Sequence, residues 1–331
     1  MARRRWLPLL LVPPALVALL FNAWDFVGLW LDHDRTVEES GEQCLGLARE
    51  VSRSITATLQ AVEIHLTDHL KPVAGRFFDH TASRPDLIGA FQLTAQRLPQ
   101  VAAVMLFDSS GHLVESSRRG KRVVLSIGDQ PWFRHHSEDG IDQSVFVAAL
   151  DGAAPDARQP HWQLHVGRSL RGEDGQLSGV VVVALDTEYL FGLIGEMKII
   201  TGASVRIFDG DMRMLVNHPR DFTQIGRVFD QTRTVKTWRR VQTDLSGRLG
   251  DPTDDTPEIG AFRRVDRYPV LVSVGLAEDL ALAEWWRELA ILLGTIAIFM
   301  VASGWSMRRD LARWVLQHDG DGSGFIDGDG I

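Results

Sequence analysis

Two uncharged apolar runs, Trp6 to Trp24 and Leu289 to Met307, each of about nineteen residues, bracket a long and mostly polar segment. Helices of that length cross the roughly 30 Å hydrocarbon layer of a bilayer, where the backbone must satisfy its own hydrogen bonds. The sequence therefore predicts a chain anchored twice, with everything of globular character held between the anchors.

The flanks set the orientation. Arg3, Arg4 and Arg5 precede the first run, and Arg308, Arg309 and Arg313 follow the second. Asp25, Asp32, Asp34, Glu284 and Glu288 lie on the inner sides. Short segments rich in Arg and Lys stay cytoplasmic, so both termini read as cytoplasmic and the central segment as translocated. A cleaved secretory signal is the competing reading of the first run, but no small-residue cleavage site follows, and Asn22, Trp24 and Asp25 stand in its place.

The 331-residue chain has a net charge of −8, which gives no footprint for nucleic acid. Cys44 is the only cysteine, so neither an intrachain disulfide nor a cysteine zinc site can form. It is either a small buried residue on a helix face or the point of pairing with a second copy. His161 and His165 alternate with apolar neighbours as in a strand, which sets them too far apart for one metal ion. No hydrolase elbow, zinc-helix, nucleotide-loop or kinase pattern occurs, and the chain is expected not to be an enzyme.

From about Asp34 to Phe78, Cys44, Ala48, Val51, Ile55, Leu59, Val62, Leu66 and Leu70 recur at steps of three or four, one stripe of a long helix. Such a stripe packs on its own domain or on a twin helix in a dimer. A second helix is expected over Arg84 to Leu98, capped by Ser83 with Pro85 in its first turn. Strands follow: Val101 to Phe107, then turn chemistry over Asp108 to Gly111, then His112 to Ser116.

The phrase returns about a hundred residues later. Val104 to Asp108 matches Val205 to Asp209, Ile127-Gly128 matches Ile225-Gly226, and the apolar strands Gly179 to Leu185 and Val270 to Gly275 each lead into an acid and a helical stretch. Two copies of one α+β unit account for this. The predicted fold class is α+β: a long N-terminal helix and two tandem PAS-like antiparallel-sheet modules, flanked by two transmembrane helices. Asp151 to Pro160 and Ser246 to Pro257 read as exposed hairpin loops.

These phrases, with Ile127 to Arg134 and Tyr268 to Leu276, resemble the double Cache sensor domains of bacterial membrane receptors, over about residues 30 to 287. The resemblance implies a membrane-distal module that binds a small ligand in the periplasm, a proximal module that passes the change to the second membrane helix, and an inner-membrane location. The domain boundaries that follow are 1–31 for a basic stub and first membrane helix, 32–200 for the long helix and distal module, and 201–287 for the proximal module. Residues 288–307 form the second membrane helix, and 308–331 a short cytoplasmic helix and tail.

Asp129, Trp132, Phe133 and Arg134 combine aromatic faces with charges of both signs, a set suited to a small solute. By the resemblance, Trp132 and Phe133 align with an aromatic pair that relatives use against amino acids, and Asp186 with the acid that holds the ligand amine. Gln130 stands where those relatives carry an Arg for the ligand carboxylate, and Arg134 is the nearby substitute.

The tail Asp319-Gly320-Asp321-Gly322-Ser323-Gly324-Phe325-Ile326-Asp327 resembles an EF-hand loop, with Asp319, Asp321, Ser323, Phe325 (by its carbonyl in such a loop) and Asp327 as metal-site residues. Gly330 replaces the bidentate Glu, so the expectation is weak Ca²⁺ binding at most or a flexible acidic tail, with no other cofactor. The sequence thus predicts a homodimeric periplasmic small-molecule sensor that signals to a separate or missing output protein, such as a kinase or cyclase. The alternatives are a periplasmic protein-binding scaffold and a Ca²⁺-responsive membrane protein.

Overall fold

The computed structural model describes residues 7–118, 126–138, 140–148, 163–241 and 244–318. They divide into two units, Val37–Leu280 and the described parts of the two ends, residues 7–36 with 281–318.

Helix α1 runs from Leu7 to His65, passes through a π-helical turn at Leu66–Leu70, and continues as α2, Lys71–Phe78. Pro72 lacks the N–H that an α-helix would direct at the Asp68 carbonyl, and the wider π turn absorbs that missing bond. Every member of the Cys44 to Leu70 stripe is at most 1% exposed. The stripe is thus spent on the core of its own unit, which decides between the two partners that periodicity left open. Each buried Leu, Ile or Val there contributes roughly 1.5–3 kcal/mol.

Helix α3, Arg84–Arg97, begins with a capping box: the Asp86 amide donates to the Ser83 hydroxyl, and the Ser83 amide donates to the Asp86 carboxylate. Its buried residues, Leu87, Phe91 and Thr94, lie on one face.

The first sheet comprises β1 (Val101–Asp108), β2 (Leu113–Ser116), β3 (Gln143–Ala148), β4 (Gln163–Arg171) and β5 (Leu177–Leu185), in the order β2-β1-β5-β4-β3. The second comprises β6 (Ala203–Asp209), β7 (Met214–His218), β8 (Leu245–Gly250), β9 (Pro257–Arg264) and β10 (Val270–Ala277), in the order β7-β6-β10-β9-β8. All pairings are antiparallel. The last strand of each copy lies at the centre, covered on both faces, which is why β5 and β10 read as unbroken apolar runs instead of alternating ones.

The turns repeat as well. Asp108 Oδ1 accepts from the amides of Ser110 and His112 at 2.9 Å, and Asp209 Oδ1 accepts from those of Asp211 and Arg213 at 2.9 and 2.7 Å. Each Asp folds its hairpin over its own side chain, the reason the motif survives in both copies. One part of the sequence match needs correction. Bridges join His112 to Ser126 and Arg213 to Val228, and the amides of Ile127 and Phe229 donate to the carbonyls of Gly111 and Met212. The counterpart of Ile127 is therefore Phe229, four residues beyond Ile225, because the second connection is longer. The helices that follow, α4 (Pro131–Ser137) and α6 (Arg233–Val241), then start at matching offsets.

A second correction concerns Ser246 to Pro257. Its first part is strand β8, paired with β9 from Leu245↔Phe262 to Gly250↔Pro257, and only 251–256 form the connection. The polar, Gly-containing composition suits an edge strand, where Gly247 comes against α1: a Cβ added to Gly41 would lie 2.7 Å from the Gly247 amide nitrogen. Residues 151–160, the other expected loop, lie outside the described residues.

Helices α5 (Thr187–Gly195) and α7 (Glu278–Ala281) follow the two central strands. Beyond them α8, Ala283–His318, includes Ala283–Trp305, among the described residues the one stretch long and apolar enough to cross a membrane. The first apolar run lies on α1, but its side chains up to residue 23 are outside the described set. Near the start of α8 the Trp285 indole N–H donates to the Leu29 carbonyl at 2.7 Å, and the His33 ring meets the indole edge-on at 5.0 Å. This contact ties α1 to α8 within their unit.

Candidate ligand-binding site

The segment 127–137 packs against one face of the first sheet. Gln130 caps α4 in an extended conformation, Pro131 opens the helix, and the amides of Phe133 and Arg134 donate to the Gln130 carbonyl. Helical spacing then turns Trp132, Phe133 and His136 inward and leaves Arg134 and His135 outside.

The inner residues join a cluster with Ala103, Met105 and Phe107 of β1, Phe146 and Ala148 of β3, and Val180, Val182 and Ala184 of β5. Trp132 lies flat on Phe146, with ring centroids 3.7 Å apart, and Phe146 lies flat on His165, its cross-strand partner, at 5.2 Å. Phe133 meets Trp132 edge-on at 6.0 Å. The Trp132 indole nitrogen is buried with no hydrogen-bond partner among the described residues.

His136 is fully buried. Its Nδ1 stands 2.8 Å from the Ile141 carbonyl, an acceptor only, so Nδ1 carries the hydrogen, and Nε2, 2.6 Å from the Ser144 hydroxyl, accepts. Burial pushes its pKa below the ordinary value, partly offset by the Ile141 carbonyl and Asp142, and the ring is neutral. The tight fit around it depends on Gly167: a Cβ there would lie 3.0 Å from Ser144 Oγ, 3.3 Å from His136 Nε2 and 3.3 Å from the Phe146 ring.

The predicted site residues separate in space. Trp132 and Phe133 are core residues, 8% and 3% exposed. Asp129 and Arg134 are exposed, 3.9 Å apart. Asp186 follows β5, where its carboxylate caps α5 by accepting from the Glu188 amide at 2.9 Å. Gln130 is also exposed. Sequence reading missed Phe146, Ser144 and Gly167 because only cross-strand register brings β3 and β4 under α4.

Asp319, Asp321, Ser323, Phe325 and Asp327 lie outside the described residues, as does His161. Among the described residues no group of three His, Cys, Asp or Glu side chains is placed to hold a metal ion.

No family model matches the sequence, and no curated protein matches it. Solved structures do match. The extracellular domain of rpHK1S-Z16, a protein assigned as a histidine kinase, is 24% identical with a TM-score of 0.62, over 75% of this chain and 98% of that one. The ligand-binding domain of the Pseudomonas fluorescens chemoreceptor CtaA, in complex with L-leucine, is 14% identical with a TM-score of 0.52, over 74% and 97%. That of the Pseudomonas aeruginosa PAO1 amino-acid chemoreceptor PctB, in complex with L-Gln, is 16% identical with a TM-score of 0.50, over 73% and 93%. The two-sheet segment has the fold of the extracellular, Cache-like sensor domains of chemoreceptors and histidine kinases.

Proposed function

Starting from that Cache-like sensor fold, we propose that the chain is a membrane-anchored receptor whose translocated segment binds a small solute through the first sheet module. The observation that carries the reading is the aromatic stack of Trp132, Phe146 and His165 beneath α4, in a fold whose solved examples include domains complexed with L-leucine and L-Gln. The stack forms a buried aromatic wall, the indole N–H has no partner among the described residues, and Asp129 with Arg134 supplies charges of both signs at the adjoining surface. Gln130 gives an amide where relatives of the resemblance carry a cation, so a ligand carboxylate at this surface would fall to the neighbouring Arg134.

In this reading both apolar runs are membrane helices, both termini are cytoplasmic, and the protein works as a homodimer without catalysis of its own. Binding would shift the second module, which leads through α7 into α8, and the signal would pass to a separate output protein such as a kinase or cyclase.

The test is a thermal-shift screen of the full chain in detergent against amino acids, amides and small organic acids. A solute that raises the melting temperature of the protein and loses that effect in Trp132→Phe supports the proposal. If no solute in the screen stabilises the chain, small-molecule sensing by this module is wrong.

A further inference from the structure

Two histidines stand together where the long helix gives way to its π-helical turn. His65 is the last residue of α1, and His69 lies four residues on, within the turn Leu66–Leu70. Their ring centroids are 4.6 Å apart and the ring planes are inclined at 49°. Residues four apart on a helix are neighbours on one face, and π-helical turns are frequent at functional sites. The spacing is that of the two ligands on a zinc-hydrolase helix, but Leu66 occupies the place of its Glu base, so the pair offers binding without hydrolysis.

The first ring is held by a fixed partner. The Thr94 hydroxyl of α3 donates to the Ala90 carbonyl at 2.9 Å and lies 2.9 Å from His65 Nε2. With its one hydrogen directed at Ala90, it accepts from His65, so Nε2 carries the ring hydrogen and Nδ1 the lone pair. Burial first, then His69 and Arg97, hold the His65 pKa below its ordinary value against the opposing charge of Asp68, which keeps the ring neutral near pH 7. A histidine that ligates a metal donates its other N–H in this way, which fixes tautomer and ring orientation. His69 is exposed, and among the described residues it makes no hydrogen bond or ion pair.

The separation of the rings suits one ion. At a metal–nitrogen distance of about 2.1 Å each imidazole centre lies about 3.2 Å from the metal, and two rings at right angles around it stand about 4.5 Å apart. Ca²⁺ and Mg²⁺ take oxygen ligands, whereas imidazole suits Zn²⁺, Ni²⁺ and Cu²⁺. We propose that His65 Nδ1 and the His69 ring bind one divalent transition-metal ion of this class, with water completing its coordination. A bound ion joins the end of α1 to the π-helical turn and, through Thr94, to α3. The site is independent of the solute site under α4.

The test is isothermal titration calorimetry of the full chain in detergent, free of any affinity tag, with ZnCl₂ and NiCl₂, and with MgCl₂ as the hard-cation competitor. Saturable binding of both transition ions is expected, undisturbed by MgCl₂ and at least about tenfold weaker in His69→Ala and in Thr94→Val. Thr94→Val leaves both rings in place and removes the acceptor that sets the His65 tautomer, a change that adventitious binding would not register. His112→Ala, which removes an exposed histidine elsewhere, should bind as the parent does. His69 is exposed, so His69→Ala leaves the fold intact and carries the test if Thr94→Val fails to fold. The proposal is overturned if neither ion binds saturably, if MgCl₂ displaces them, or if the affinity is unchanged in His69→Ala or in folded Thr94→Val.

Discussion

The Trp132 indole and the Phe146 ring lie face to face, their centroids 3.7 Å apart and their planes within 8°. One comes from a helix of seven residues and the other from an edge strand, so the pair fastens α4 to the first sheet. A helix that short has no stability of its own in water. Trp132→Ala is therefore expected to cost about 3–5 kcal/mol, read by urea denaturation, and to loosen the whole 127–137 segment. A loss under about 1 kcal/mol would mean that the ring is not packed as described.

Gly167 leaves the space in which His136, Ser144 and Phe146 meet. Gly167→Ala puts a methyl group 3.0 Å from Ser144 Oγ and should destabilise the fold by about 1–3 kcal/mol. Ser144→Ala in the same chain removes the nearest atom and should restore part of the loss. Strict additivity of the two substitutions in denaturation experiments would contradict the contact.

His136 makes stability depend on pH with a definite sign. Its folded pKa lies below its ordinary value of 6.5, so near and below that pH the unfolded chain binds more protons than the folded one. Stability is fully present above about pH 7 and declines as pH falls through 6.5 toward the folded pKa, by at most about 1.4 kcal/mol per pH unit. His65, also lowered by burial and then by His69, adds a slope of the same sign. Denaturation midpoints between pH 5.5 and 7.5 should flatten in His136→Gln, and an unchanged slope would assign the effect elsewhere.

In the second module the Arg206 guanidinium binds Asp251 and both oxygens of Glu258, and all three side chains are nearly buried. Removing the cation strands two carboxylates out of water. Arg206→Met is expected to cost about 3–5 kcal/mol, measured by chemical denaturation, whereas a neutral result would show that water reaches the acids.

Cys44 is fully buried, with its thiol 3.7 Å from the Ile259 carbonyl and its pKa pushed up to about 11 by burial and then by Glu258. Iodoacetamide at pH 8 should leave the native protein unlabelled and label it quickly in guanidinium, because the thiolate is the nucleophile. Rapid labelling of the folded chain would place Cys44 at a surface and revive pairing between copies.

The sequence by itself determined the local and periodic features. The stripe from Cys44 to Leu70 announced a helix with one buried face, Ser83 with Pro85 announced a helix start, and the repeated Phe-Asp turn announced two copies of one sheet unit. Each is written in contacts spanning a few residues, where side-chain chemistry fixes backbone geometry directly. Tertiary structure alone decided what those pieces meet. Phe146 comes under Trp132, Phe229 and not Ile225 answers Ile127, Ser246 joins a strand, and Glu63 faces Tyr268 some two hundred residues away. Strand register and loop length set these pairings, and both follow from which packing buries the most apolar surface, a sum over the whole unit that no short stretch of chain contains.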